Sequence, residues 1–307
     1  MGNGDELDGW IARLRAIPDA ARDFAVAGEQ AEREFGFDAA AVAELVARGL
    51  PHAPGGDGEG PLLWATDLQY LGLRLGCARI YQGVLNRWAG ALTAFSAQPR
   101  VPVQIRCTVY APPGTAVELL APGGERVRAE AGPRGAAPLA FETTMEGSPP
   151  ELDAATRQAL GPLLADLASY DFCWLRPPLE ADLAFVRRTR LANCRSTAGL
   201  LVEEAPALGV EARLAHGLLL APPYSTPHNW AEVRVGEAWV ALDPLLLGLL
   251  ARFAGLDPGA WPPPRSPGAI LLRLTEPGTP LVTEAAGGAP LEATFLTKPL
   301  AEGAATG

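Results

Sequence analysis

Apolar positions recur at helical spacing through DELDGWIARLRAI and FDAAAVAELVARGL, which predicts two or three helices over residues 5–50, the last closed by Gly49. The helical pattern resumes over 62–96, through LGCARIYQGVLNRWAGALTAF. From 101 to 145 it gives way to alternation with β-branched residues, cut by Pro-Pro-Gly, Pro-Gly-Gly and Gly-Pro-Arg-Gly turns, so a small set of strands is expected there. SPPELDAATRQALGPLLADLASY (148–170) returns to helix behind a Ser-Pro-Pro-Glu start, and a second helix is expected over 179–190. These shifts divide the chain into a helical N-terminal region (1–100), a small β region (101–147) and a core with a C-terminal extension (148–307). The fold class expected is α+β.

The next stretch, LANCRSTAGLLVEEAPALGVEARLAHG (191–217), combines helix and strand. Asn193 suits an N-cap, Leu200, Leu201, Ala205 and Leu208 share a helix face, and Gly209 suits the helix end. Pro206 sits awkwardly late in that helix. Cys194 becomes the first residue inside it, where free backbone N–H groups and the helix dipole favour a thiolate. A strand follows through VEARLAHGLLL, and then a hairpin, STPHNWAEVRVGEAWVALDP (225–244), turning at Gly236-Glu237. With a two-residue turn, Val235 faces Ala238 and Trp230 faces Asp243. His228 shares the face of Trp230 and is a diagonal neighbour of Asp243, about 7–8 Å away at the backbone. A carboxylate there can fix one imidazole nitrogen and leave the other free as a base. A thiol, a base and an orienting carboxylate therefore follow one another in the order needed for nucleophilic catalysis.

Composition narrows the classes. The chain has 307 residues, 48% hydrophobic and 20% charged, with a net charge of −10, which argues against a general nucleic-acid binder. The opening MGNGDELDGW lacks the apolar run of a secretory signal, and LLLGLLARFAGL is too short to span a bilayer, so a cytoplasmic protein without membrane association is expected. Four cysteines, Cys77, Cys107, Cys173 and Cys194, stand far apart without a C-x-x-C pair; no metal site, disulfide framework or cofactor is expected from them. Of the other histidines, His216 lacks a carboxylate spaced to orient it and reads as a pocket wall or core residue, and His52 lies in a Gly-Pro loop. Arg187, Arg188, Arg190 and Arg195 crowd the thiol in an otherwise acidic chain. A cationic field there would favour the thiolate and an anionic donor, with Arg190, Arg195 and Trp230 as candidate substrate-binding residues.

Four segments together carry a resemblance: Cys194 opening a helix, GVEARLAHG (209–217), HNWAEV (228–233) and WVALDP (239–244). In this order they resemble the transglutaminase-like superfamily. The resemblance implies a papain-like core, a Cys-bearing helix packed on an antiparallel sheet, with Cys194, His228 and Asp243 as the catalytic residues. It departs from the family pattern in Asn193 before the cysteine and RST after it, and no upstream Gln is placed as an oxyanion-hole side chain. The activity implied is acyl transfer through a Cys194 thioester. The donor would be an amide or thioester, on a small molecule or a carrier protein, and the acceptor an amine or water. Two alternatives stand beside it: a peptidase, amidase or deamidase with the same triad, and an inactive fold kept as a binding module.

Overall fold

The computed structural model describes residues 4–56, 60–285 and 288–301. The N-terminal pattern resolves into α1 (Gly4–Leu14), β1 (Phe24–Val26), α2 (Gly28–Gln30) continued by a π turn, α3 (Ala39–Ala47), β2 (Leu63–Trp64), α4 (Ala65–Leu75) and α5 (Arg79–Ser96). The 62–96 stretch is two helices because Gly76 adopts a left-handed conformation, φ 72°, at the end of α4. The alternating stretch supplies β3 (Arg100–Tyr110), β4 (Ala116–Leu120), β5 (Arg126–Glu130) and β6 (Ala136–Glu146). Then come α6 (Ala154–Ala168), β7 (Asp171–Phe172), α7 (Leu183–Thr189), β8 (Leu191–Ala192) and α8 (Cys194–Glu204). The chain finishes with β9 (Ala212–Ala221), β10 (Tyr224–Val235), β11 (Ala238–Leu242), α9 (Pro244–Phe253), β12 (Leu271–Thr275), β13 (Val282–Glu284) and β14 (Ala293–Pro299). Helix α6 starts later than Ser-Pro-Pro-Glu suggests, because the Asp153 carboxylate is the cap, accepting from the Thr156 N–H at 2.7 Å.

One antiparallel sheet organises the molecule, in the order β12-β9-β10-β14-β3-β6, with β11 also paired to β10. The strands of 101–147 divide between two sheets. β3 and β6 join the large one through β14, whereas β4 and β5 pair with β13 in a three-stranded sheet. The architecture is α+β, with helix α8 packed against β9 and β10. Two apolar cores result. One gathers α5 and α9 against β3, β6 and β9 through Leu85, Leu92, Val103, Ile105, Leu218 and Leu250. The other gathers the N-terminal helices with α6 and α8, through Leu14, Phe35, Leu68, Leu164, Leu200 and Leu201. Burial of apolar area on this scale is the main term holding such layers together, at about 25 cal/mol per Å2.

The β10–β11 hairpin has the register its sequence implies: Val235 opposite Ala238, Arg234 opposite Trp239, Glu232 opposite Ala241. Gly236 supplies the positive φ, 59°, that opens the turn. β10 is shared unevenly along its other edge. Tyr224 and Ser225 pair with β14, and Ala231–Val235 pair with β11. Between them β14 and β11 part, and residues 226–230 face a gap in the sheet. His228 lies in that gap.

Pro206 also finds its reason. α8 ends at Glu204, and Ala205–Leu208 form a 3-10 turn with Pro206 at its start, closed by Gly209 at φ 77°.

Helix α9 was not foreseen as a helix. It lies against α6 at Gly248, where a Cβ would stand 2.2 Å from the Ala168 carbonyl oxygen. Gly248→Ala should therefore push α9 off α6 and lower unfolding stability by about 1–3 kcal/mol. Gly161→Ala, where a Cβ meets nothing within 4 Å, should be neutral or stabilising. Paired chemical-denaturation curves check this; equal midpoints for the two variants would refute the close approach.

Candidate active site

Two helix N-termini converge on the gap in the sheet. Cys194 is the first residue of α8, behind a capping box in which Asn193 Oδ1 accepts from the Ser196 N–H at 3.0 Å and Ser196 Oγ accepts from the Asn193 N–H at 2.9 Å. The Asn193 side chain is further held by the Leu175 carbonyl at 2.9 Å and Glu180 at 3.0 Å. The thiol is thus fixed at the positive end of a well-capped helix. Asp243 is the N-cap of α9, with Pro244 in the first turn. Its Oδ1 accepts from the Leu246 N–H at 2.9 Å, and its Oδ2 bonds His228 Nε2 at 2.6 Å. One carboxylate therefore starts a helix and orients an imidazole. With Nε2 engaged, Nδ1 is the ring nitrogen left for Cys194, and the thiol and His228 are hydrogen-bonded.

The two groups shift in opposite directions. Burial alone would raise the Cys194 pKa, but the His228 charge, the hydrogen bond from His228 and the Asn229 backbone N–H outweigh it and hold the thiol below its ordinary value. Burial alone would lower His228, but the attraction of Cys194 and the bond to Asp243 raise it well above the usual histidine range. Both shifts favour a thiolate–imidazolium pair over the neutral one. The other cysteines go the opposite way: burial pushes Cys107 up to about 12 and raises Cys77 and Cys173 too.

This fixes a pH dependence. Cys194 alkylation should remain fast below the ordinary thiol pKa of about 8.5, falling only as pH drops through the lowered Cys194 value. Turnover should fall at the alkaline end as the imidazolium loses its proton, above the ordinary histidine value of about 6.5. Alkylation rates against pH, site-resolved by mass spectrometry, check this. A rate that rises only near 8.5, like a free thiol, would contradict the ion pair.

The pair opens into a narrow cleft lined by Trp88, Phe172, Trp174, Thr226 and Pro227 and by Leu245, Leu246 and Leu249 of α9. Apart from the triad, no lining residue is charged. Phe172 is placed by its neighbour. Asp171 is buried and gathers Arg13, Arg74, Arg252 at 2.9 Å and Tyr70 Oη at 3.1 Å, tying β7 to α1, α4 and α9. Burial alone would raise the Asp171 pKa, but Arg74 and Arg13 hold it below the usual carboxylate range.

The structure brings together Cys194, His228 and Asp243, but not the candidate substrate-binding residues. Arg190 ends α7 in a left-handed conformation, φ 57°, which turns its guanidinium onto Asp166 at 3.0 Å and over the Tyr170 ring at 4.3 Å; it does not line the pocket. Arg195 offsets its unfavourable place in the first turn of α8 by pairing with Glu180 at 3.6 Å. Arg187 is held by Glu203 and Glu204, and Arg188 lies over Phe185. Arg187, Arg190 and Arg195 are thus engaged in ion pairs and Arg188 lies over a ring, and the expectation that Arg190 and Arg195 bind substrate is corrected: neither lines the pocket. Trp230 is 1% exposed and stacks on the His228 ring at 6.3 Å, so it backs the histidine and does not wall the site. His216 Nδ1 bonds the His228 carbonyl at 3.0 Å; burial lowers its pKa, in keeping with a structural place beside the site. The wall residues Trp88, Phe172, Trp174 and Leu249 went unrecognised in the sequence because they come from three remote segments. No motif links them; only their bulk and apolarity mark them.

Cys194 at a helix start, His228 on a strand packed against that helix and Asp243 bonded to the imidazole form the arrangement that a thiol nucleophile needs, on an α+β core. Residues 144–244 match the model of the transglutaminase-like superfamily, and this segment, which holds all three residues, is similar to cysteine-dependent enzymes of that kind. Comparison with curated proteins gives no match. Among solved structures, the chain is similar to a candidate cysteine protease from Cytophaga hutchinsonii at 13% identity over 66% of this chain and 89% of that one, with a TM-score of 0.33. Among the described residues, no helix is long and apolar enough to cross a membrane.

Proposed function

We propose that the protein is an acyltransferase that works through a Cys194 thioester on an apolar, uncharged acyl group. The observation that carries this reading is the meeting of Cys194, at a helix start, with the Asp243-bonded His228 in a cleft whose other walls are mainly aromatic and aliphatic. The thiolate attacks the donor carbonyl and a C–S bond forms. The N–H groups opening α8 stand beside the thiol as donors for the oxyanion. As the tetrahedral intermediate collapses, the bond to the leaving thiol or amine breaks, and that group takes the proton from His228 Nδ1. An incoming amine then gives its proton to Nδ1 as it attacks the thioester, releasing an amide and restoring the thiolate. Asp243 holds the ring through both proton transfers. Water in place of the amine makes the same site a hydrolase.

The test is direct. Phenylacetyl-N-acetylcysteamine is supplied with and without benzylamine, and intact mass and products are followed. An acyl adduct on Cys194 and amide formation in excess of free acid support the reading. Free acid alone in the presence of amine identifies a hydrolase, and no adduct with any thioester or amide donor refutes acyl transfer.

A further inference from the structure

Many cationic side chains of this acidic molecule are matched with carboxylates, as Arg187 is with Glu203 and Glu204 or Arg213 with Glu232. Three that gather beside Tyr224 and Leu296 are not. Tyr224 lies two residues before Thr226 on the same face of β10, and Thr226 lines the pocket. Arg87, one residue before the pocket wall Trp88, sits over the Tyr224 ring at 6.0 Å. Tyr224 therefore stands one strand repeat outside the pocket wall, with the Arg87 guanidinium over its ring. From there the sheet register carries the surface outward. Tyr224 stands opposite Leu296, and Leu296 opposite Arg106. Pro222, Pro223, Lys298 and Pro299 complete a shallow groove with Arg106 and Leu296. Tyr224 is 54% and Leu296 38% exposed, large apolar groups left open to water. Among the described residues, Arg87, Arg106 and Lys298 have no carboxylate in ion-pair contact; Arg106 is braced only by the Gln104 amide oxygen, at 2.7 Å. Lys298 is also the single lysine of the chain.

The geometry points to a docking surface for an acidic protein that presents the acyl donor to Cys194. The apolar pair Tyr224 and Leu296 supplies an anchor beside the pocket. Arg87, Arg106 and Lys298 supply charge complementary to acidic side chains, in a molecule whose net charge of −10 would otherwise repel such a partner. The pocket takes the acyl group, and the strip takes the polypeptide that carries it. This rests on the acyl-transfer reading for the chemistry, but the docking itself is measurable without turnover.

Two cysteine-centred peptides of equal length carry phenylacetyl as a thioester on the cysteine, one flanked by four Glu and the other by four Gln. Acylation of Cys194 is followed by mass, and binding of the unacylated, fluorescein-labelled peptides to the Cys194→Ala protein is followed by anisotropy. The expected result is a preference for the Glu donor of at least about tenfold in kcat/KM, weakened by salt. Arg106→Glu with Lys298→Glu should abolish that preference, Tyr224→Ala should weaken binding of both peptides, and acylation by phenylacetyl-N-acetylcysteamine should stay unchanged in the charge-reversed protein. Equal handling of the Glu and Gln peptides at low salt, or a charge reversal that lowers the N-acetylcysteamine rate as much as the peptide rate, overturns the proposal. If no donor acylates Cys194, the acyl-transfer reading fails, and the anisotropy series still decides the docking surface by the same criteria.

Discussion

Replacing Cys194 with alanine should lower acyl transfer by at least about a thousandfold while leaving the fold in place, because the variant removes the only atom that forms the covalent bond. Stability should change by less than about 1 kcal/mol, since the thiol contributes neither to the Asn193–Ser196 capping box nor to a large apolar contact. Turnover by the product assay and a thermal melt together check this. The cheaper companion experiment is limited alkylation of the wild-type protein at neutral pH. Cys194 should be modified far ahead of Cys77, Cys107 and Cys173, whose pKa values burial raises. Turnover of the alanine variant near the wild-type rate would remove the thioester mechanism outright.

The second large effect concerns Asp243. Its two oxygens serve two donors, the Leu246 N–H and His228 Nε2. Asparagine brings a single acceptor oxygen. Asp243→Asn must present its amide N–H either to the start of α9 or to the imidazole, so one of the two bonds is lost. Loss of the carboxylate charge also removes one of the causes that raise the His228 pKa. The expected result is a fall in kcat/KM of about a hundredfold, smaller than that of His228→Ala, with the alkaline limb of the pH profile displaced to lower pH. Asp243→Ala should add the loss of a helix cap, about 1 kcal/mol in an unfolding titration. If Asp243→Asn proved more damaging than His228→Ala at unchanged stability, the carboxylate would be doing chemistry beyond orientation.

The triad was legible because its determinants are local. A two-residue turn at Gly236-Glu237 fixes the register, the register fixes which residues share a face with His228, and Asn193 marks where α8 begins. The role of Asp243 as a cap was written there too, in Asp-Pro before an apolar run, yet α9 escaped notice. Its sequence, PLLLGLLARF, is apolar almost all round because Leu245, Leu246, Leu247, Leu249 and Leu250 are all buried, so no amphipathic stripe announces a helix. The arginine cluster misled for the opposite reason. Sequence proximity to Cys194 says nothing about the acidic partners, Asp166, Glu180, Glu203 and Glu204, that other elements bring to it. The pocket walls were invisible because α5, β7 and α9 meet only in three dimensions.

The insertion of β14 between β10 and β3 has a temporal meaning. During synthesis every residue of the Cys194–His228–Asp243 triad emerges before the strand that joins its sheet to the β3–β6 pair. A chain halted before residue 293 would carry all three groups and yet leave one edge of β3 and the Tyr224–Ser225 end of β10 unpaired, open to strangers. Completion of the sheet therefore waits on one of the last strands made. A ribosome-stalled or truncated product is expected to aggregate, and not to accumulate as a loose but chemically competent thiolate.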